Sequence, residues 1–360
     1  MKILLNGATG GTNFGDFLFA KIFHEEAVSL IGGDNVFWYD SRYCLSNYFK
    51  KQLKCNSRKH KLSDIDALVC ISGGYFCGND TTLRLSIIRY LRYFHLCIRC
   101  IIRKIPIAII GVDVAKHKFN IIDKIQKFIL KRAELVVVRN RESLDQLRVY
   151  GVENPICTAD TAHVMTSDFF SDCVVQNDVV QLKGKKMFFH VQPSKMRDAE
   201  KLVPVIDYFL LSHPEYSVVV GMDQYWGDDD FLEEFVKRFS SKNVVINHFY
   251  DPIALCKVLD TMDVIVTPKL HVGIVGATLS KSVISFSCHT EKITRFYRQI
   301  GEEKRTLSME YFSETKAFDM LEKYHAIPIV VSDDILKMAQ SNLDYFKNFI
   351  SNLSSKKAKS

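Results

Sequence analysis

The sequence predicts an α/β protein built from two doubly wound, Rossmann-like domains, each a parallel sheet with helices on its faces. Three observations carry that expectation. Short, continuously apolar runs such as Ala67–Ile71, Ile105–Gly111, Ser217–Gly221 and Asp263–Thr267 have the length and β-branched content of strands buried on both faces. They alternate with stretches of helical period, the order that makes parallel sheets from βα units. Several of them end in glycine-rich or basic turns, and the carboxyl edge of an open α/β sheet is where ligands bind.

Taken in order, Lys2–Asn6 reads as the first strand and runs into Gly7-Ala8-Thr9-Gly10-Gly11-Thr12-Asn13-Phe14-Gly15-Asp16. A glycine-rich turn between strand and helix lets backbone N–H groups approach a ligand. It lacks a clean dinucleotide fingerprint, and Asp40 after Val36–Tyr39 is the one acidic candidate to complete such a site, so a tight packing turn is the plainer reading. Ala67–Ile71 ends in Ser72-Gly73-Gly74-Tyr75, a second glycine turn. Leu83–Lys104 reads as one basic amphipathic helix with Arg84, Arg89, Arg92, Arg99, Arg103 and Lys104 among apolar residues, either packed with a solvated face or resting on an anionic membrane surface. Ile105–Gly111, a helix around Ile121–Ala133, the strand Leu135–Val138, the helix through Arg148 and a brief strand between Gly151 and Asp160 complete a first domain over 1–166. The polar stretch 167–185 is expected as a linker.

A second domain spans 186–331, followed by a C-terminal helix and tail over 332–360. It opens with the strand Lys186–Val191 and the helix Ala199–Leu211. Ser217–Gly221 leads into Met222-Asp223-Gln224-Tyr225-Trp226-Gly227-Asp228-Asp229-Asp230, which reads as a charge complement to a helix start, a metal site or a sugar-binding loop. Asn243–Ile246 and the helix Asp251–Thr261 follow. Ile335–Leu353 reads as the final amphipathic helix, with Lys356–Ser360 frayed.

Composition narrows the function. A length of 360 residues with 47% hydrophobic and 25% charged residues is globular, and no run of eighteen apolar residues is present. The chain is expected to be cytoplasmic, with a peripheral place on the inner membrane face as an option. Ten cysteines fall mostly in apolar stretches without a spacing framework, as expected for reduced thiols. Cys97-Ile98-Arg99-Cys100 is a single CxxC without a second pair. The net charge of +7 suits anionic substrates or surfaces, and no nucleic-acid motif is present.

The densest chemistry lies in Asp263–Phe296. A buried strand, a Pro268 turn and Lys269-Leu270-His271 at the start of a small-residue helix are followed by the strand Ser282–Phe286. Ser287-Cys288-His289-Thr290 then leads into a helix carrying Lys292 and Arg295. Two successive βα units therefore deliver Lys269, His271, Lys292 and Arg295 to one sheet edge, where each helix start adds N–H groups and a positive dipole end. That arrangement suits a small anion. The plain alternative is a surface histidine among solvated cations.

Asn13-Phe14-Gly15-Asp16, Ile71-Ser72-Gly73-Gly74, Val138-Arg139-Asn140-Arg141-Glu142-Ser143 with Leu147 and Gly151, Thr158-Ala159-Asp160, Lys269-Leu270-His271 and Phe286 to Lys292 together resemble the polysaccharide pyruvyl transferase family, in the family's order. The resemblance implies paired Rossmann-type domains in a GT-B arrangement and transfer of a pyruvyl unit from phosphoenolpyruvate to a sugar as a ketal, in the making of capsule or exopolysaccharide. It also implies His271 as the catalytic residue and Arg139, Lys269, Leu270, Lys292 and Arg295 around phosphoenolpyruvate. Asn13, Asp16, Gly73, Gly74 and Asp160 fall on the acceptor side of an interdomain cleft. The acceptor it implies is a sugar, in a lipid-linked oligosaccharide; phosphoenolpyruvate is the co-substrate, and no cofactor or metal is expected. Three positions depart from the family pattern: Asn140 replaces an aspartate, Lys269 an arginine, and Tyr75 a third glycine. Lysine keeps the charge but lacks the planar fork that grips a carboxylate or phosphate by two bonds. A nucleotide-sugar glycosyltransferase and a non-catalytic glycan-binding relative are the competing readings.

Overall fold

The computed structural model describes residues 1–360 except 41–44, 59–61, 78–81, 172–173, 175–178, 180, 226–229, 250, 288–289 and 360. The chain divides into two units, one made of Met1–Thr12, Asp16–Thr161 and Asp334–Ser360, the other of Asn13–Gly15 and Ala162–Asp333. Among the described residues every pairing between strands is parallel.

In the first unit the strands are β1 (Ile3–Asn6), β2 (Val36–Tyr39), β3 (Asn56–Arg58), β4 (Ala67–Cys70), β5 (Gly73–Phe76), β6 (Ile107–Val114), β7 (Leu135–Val138) and β8 (Ile156–Cys157). They run in the order β3-β2-β1-β4-β6-β7-β8, with β5 pairing β6. The order reverses direction between β1 and β4, the point at which doubly wound sheets open a crevice at their carboxyl edge. The helices are α1 (Phe14–Ile31), α2 (Asn47–Leu53), α3 (Leu83–Arg89), α4 (His95–Ile102), α5 (Asn120–Arg132) and α6 (Arg141–Tyr150). Strand burial is complete in β1, β4 and β6, which are apolar but for Asn6 and Asp113.

Three expectations are corrected here. Ser72–Tyr75 is not a turn alone, because Gly73–Phe76 forms β5 against β6. Leu83–Lys104 is helical as expected as far as Ile102 but not uniformly α-helical: a π-helical turn over Tyr90–Phe94 joins α3 to α4. The wider turn lets two consecutive aromatics face inward, Tyr93 stacking on Tyr75 at 4.5 Å between ring centroids and Phe94 lying 5.2 Å from Phe76. Tyr75, where the family favours glycine, is thereby buried in this cluster and donates its hydroxyl to Ile71 O, and burial raises its pKa well above the usual tyrosine range. The third correction concerns the tail, which continues as helix to Lys359.

In the second unit β9 (Lys185–His190), β10 (Tyr216–Gly221), β11 (Val244–Asn247), β12 (Val264–Thr267), β13 (Ser282–Ser287) and β14 (Thr306–Ser308) run in the order β11-β10-β9-β12-β13-β14. Here the switch falls between β9 and β12. The helices are α7 (Met196–Ser212), α8 (Phe231–Val236), α9 (Pro252–Asp260), α10 (Leu270–Thr278), α11 (Thr290–Gln299) and α12 (Glu314–Tyr324). Gly276 lets α10 lie against β12 and β13, since a Cβ there would stand 2.6 Å from Ile265 Cδ1 and 3.0 Å from Val283 Cγ2. The terminal helix α13 (Asp333–Lys359) packs with the first unit, where buried Asn342 accepts from Thr158 Oγ1 at 2.8 Å and donates to Ala159 O at 2.9 Å.

The CxxC is structural. Cys97 and Cys100 are fully buried, and Cys97 Sγ lies 3.7 Å from Cys70 Sγ. That neighbour and burial push the Cys97 thiol far up, and burial pushes Cys100 to about 12, so both stay protonated and unreactive.

Candidate active site

The second unit gathers polar side chains at its topological switch. His190 ends β9 and Thr267 ends β12, and the two are joined across the sheet by a 2.8 Å contact between Nδ1 and Oγ1. Asp223, just after β10, places Oδ1 3.3 Å from His190 Nε2 and accepts a 3.2 Å hydrogen bond from Gln192 Nε2. Lys269 Nζ lies 3.5 Å from Asp223 Oδ2. Burial would raise the Asp223 carboxyl, but the charges of His190 and Lys269 and the donors around it outweigh that and hold it below the usual carboxylate range. A carboxylate so fixed orients Lys269 from beneath, while the lysine keeps 29% of its side chain exposed. An apolar-walled cavity lined by Phe189, His190, Gln192, Lys195, Thr267 and Pro268 opens beside this cluster.

Lys269 is the residue before α10, and it has no oxygen with which to cap the helix. The first N–H groups of α10 therefore stand without a side-chain cap at the sheet edge, an arrangement that favours an anion. His271 lies in this first turn and is half-buried. Its ring rests on the backbone of Gly15, so closely that a Cβ added to Gly15 would fall inside it. Phe14 N donates to Asp223 O at 3.1 Å, tying the Asn13–Gly15 segment, half-buried Asn13 included, to the same cluster.

Because β12 and β13 are adjacent and parallel, α10 and α11 both begin at this edge, and the two helices pack on each other. Leu270 is half-buried in the first turn of α10 and Lys292 in the first turn of α11, where no carboxylate of the described residues lies within ion-pair distance of the lysine. Arg295, one turn on, pairs with Glu291 of its own helix. Cys288 and His289 lie outside the described residues, as do Trp226 to Asp229 of the acidic loop.

In the first unit Arg139, just after β7, lies in a buried ion-pair cluster. Its guanidinium is 5% exposed and held between two carboxylates, with Nη1 donating to Asp160 Oδ2 at 2.7 Å and Nη2 to Asp113 Oδ2. Burial opposes its charge, but Asp113 and Asp160 outweigh burial and keep it protonated. The cation is thus matched by two buried carboxylates, and Asp160 is buried with it.

Asn140 has a local reason as well. Its Oδ1 caps α6 by accepting from Ser143 N at 2.9 Å while its Nδ2 donates to Asp113. An aspartate here would set one carboxylate against another.

Gly73 and Gly74 lie in β5, and the Gly74 and Tyr75 carbonyls accept from Arg89 Nη1 at 3.5 and 2.7 Å. Asp16 is half-buried in the first turn of α1. Gly111 adopts φ +70° where β6 bulges, which re-aims the strand end bearing Asp113.

Sequence reasoning missed His190, Gln192, Asp113 and Asn6, and read Asp223 within its acidic stretch as a helix charge complement, a metal site or a sugar-binding loop rather than as a partner of Lys269. The usable signal was a charged or amide side chain inside an otherwise apolar strand, as in Ile107–Val114. Asn6 stands at the switch of the first sheet, buried, with neither side-chain amide atom partnered among the described residues.

Two doubly wound sheets, parallel throughout among the described residues and with polar groups at their carboxyl edges, give this chain the GT-B fold class. It is similar over 99% of its length to the whole UDP-GlcNAc 2-epimerase of Neisseria meningitidis bound to UDP-GlcNAc, at 10% identity and a TM-score of 0.63. It matches S. aureus MnaA with UDP at 9% identity and TM-score 0.66 over 98% and 97% of the two chains. MurG of Acinetobacter baumannii gives 11% identity and TM-score 0.57 over 98% and 100%. At such identities the likeness shows the fold alone. No curated protein matches the sequence. The model of the polysaccharide pyruvyl transferase family matches residues 13–290, and the chain belongs to that family.

Proposed function

We propose that the protein transfers a pyruvyl group from phosphoenolpyruvate to two hydroxyls of a sugar in a surface polysaccharide or its lipid-linked precursor, closing a ketal. The observation that carries this reading is His271 in an uncapped helix start beside Lys269, with Lys292 at the next helix start on the same sheet edge. Phosphoenolpyruvate brings about two negative charges on phosphate and one on carboxylate. Lys269, Lys292, Arg295 and the N–H groups of α10 are the groups offered to it, each charge-assisted hydrogen bond contributing roughly 1.5–3 kcal/mol. Arg139 is not counted among them.

In the proposed chemistry protonated His271 gives its proton to the methylene carbon of the enol, leaving a cation-like centre at the neighbouring carbon. One sugar hydroxyl attacks that centre and returns a proton to His271. The bond to phosphate oxygen then breaks as the second hydroxyl closes the ketal, its proton leaving with phosphate. On the acceptor side the proposal keeps Asn13, Asp16, Gly73 and Gly74.

The test is phosphate release from phosphoenolpyruvate with a panel of simple glycosides, alongside melting measurements with phosphoenolpyruvate and with UDP-sugars. The expected result is acceptor-dependent phosphate release and stabilisation by phosphoenolpyruvate. Stabilisation by a UDP-sugar alone would favour the glycosyltransferase reading. Binding of glycan without phosphate release would favour a non-catalytic relative.

A lipid-linked acceptor needs the protein at a membrane surface. No described helix is long and apolar enough to cross a membrane. On α3 and the following turn, however, Leu83, Ile87 and Leu91 recur at every fourth position and are 50%, 48% and 43% exposed, with Arg84 and Arg92 alongside. We propose that this stripe rests on anionic lipid. Flotation with anionic vesicles is expected to carry the protein upward, and the variant with Leu83, Ile87 and Leu91 changed to serine is expected to stay behind. Equal recovery of both proteins would refute the contact.

A further inference from the structure

At the end of the second sheet opposite the candidate active site, His213, Glu322 and His325 each present a ligand atom within 4.8 Å of the other two. His213 ends α7 and His325 ends α12, so the negative ends of two helices, of 17 and 11 residues, are brought to one spot beside the start of β10. Both helix ends favour a cation there.

One of the imidazoles has the outer hydrogen bond of a metal ligand. Tyr216 OH lies 3.1 Å from Nδ1 of His325, which fixes that ring's tautomer and leaves Nε2 for another partner. Nε2 of His213 meets Glu322 Oε1 at 2.8 Å, while its Nδ1 stands 3.8 Å from Glu215 Oε1, within reach of its charge but beyond hydrogen-bond distance. The two rings lie 4.6 Å apart between centroids and are tilted by 47° to one another.

We infer that His213, Glu322 and His325 form a binding site for one divalent transition-metal ion of the zinc type. Two neutral imidazoles and one carboxylate give borderline nitrogen and oxygen donors at about 2.0–2.2 Å, with a water completing the tetrahedron. Ligand atoms around such an ion stand roughly 3.3 Å apart by that geometry, so small side-chain rotations bring this cluster to it. The ion would join the C-terminal ends of α7 and α12, helices already packed through Tyr208 and Phe318 at 4.7 Å. Its role is to hold the base of the second unit together; no step of pyruvyl transfer passes through it.

The experiment loads the full chain with Zn²⁺ or Co²⁺ after chelator treatment and measures metal retained after gel filtration. Glu322→Gln and Tyr216→Phe are the variants compared. The side chain of Glu322 is 37% exposed, so its amide is expected to leave the fold intact. One equivalent retained by the natural chain, its loss in Glu322→Gln, and about 10–100-fold weaker binding in Tyr216→Phe are expected. The Co²⁺ form is expected to show visible bands without thiolate charge transfer. Retention unchanged in Glu322→Gln, or a thiolate band that assigns the metal to cysteines, would overturn the site. Phosphate release from phosphoenolpyruvate is read separately, so failure here leaves the proposed function standing and the converse holds as well.

Discussion

His271→Ala is expected to lower phosphate release from phosphoenolpyruvate by about a hundred- to ten-thousand-fold, the usual contribution of a positioned acid or base. The loss should fall on kcat with donor binding largely kept, because Lys269 and the N–H groups of α10 remain where they are. Gly15→Ala tests the same placement from a residue that carries no chemistry. Its Cβ would occupy the His271 ring, so the imidazole must move. A displacement of about 1 Å at a reacting group can cost on the order of a hundredfold in rate. The melting temperature is measured alongside, so that rate lost through the displaced ring is told apart from loss of the fold. A near-natural rate in His271→Ala would remove the imidazole from the chemistry whatever Gly15→Ala does.

Arg139→Met is expected to destabilise the first unit by about 3–5 kcal/mol, read from the denaturant midpoint. Removing one partner of a buried ion pair leaves the other charge uncompensated, and here two carboxylates, Asp113 and Asp160, would be left facing each other. Adding Asp113→Asn and Asp160→Asn to Arg139→Met should recover part of the loss, because amides carry no charge to bury. The opposite pattern is also recognisable. An Arg139→Met protein with an unchanged midpoint and abolished phosphoenolpyruvate binding would return Arg139 to the donor site.

Lysine in place of the family's arginine at 269 has a counterpart in the structure. The ammonium is oriented by Asp223, which is itself fixed by His190 and Gln192, so position is supplied by the support beneath rather than by a planar fork. Asn140 likewise fits a surrounding in which Asp113 already supplies the carboxylate. At both positions the side chain present is engaged by buried or half-buried polar neighbours.

The chain's own order of residues determined the parallel α/β class, the succession of strands and helices, and the arrival of Lys269, His271 and Lys292 at helix starts. These follow from periodicity and local turn chemistry, which act over a few residues and can be read along the chain. The tertiary structure alone decided which groups meet. Arg139 finds Asp113 and Asp160 at separations of 26 and 21 residues, and His213 finds Glu322 at 109. His271 settles on a glycine from the other end of the sequence. Whether a charge stays open to a ligand or is matched in the interior depends on desolvation and on partners brought close by packing, and neither is encoded in spacing.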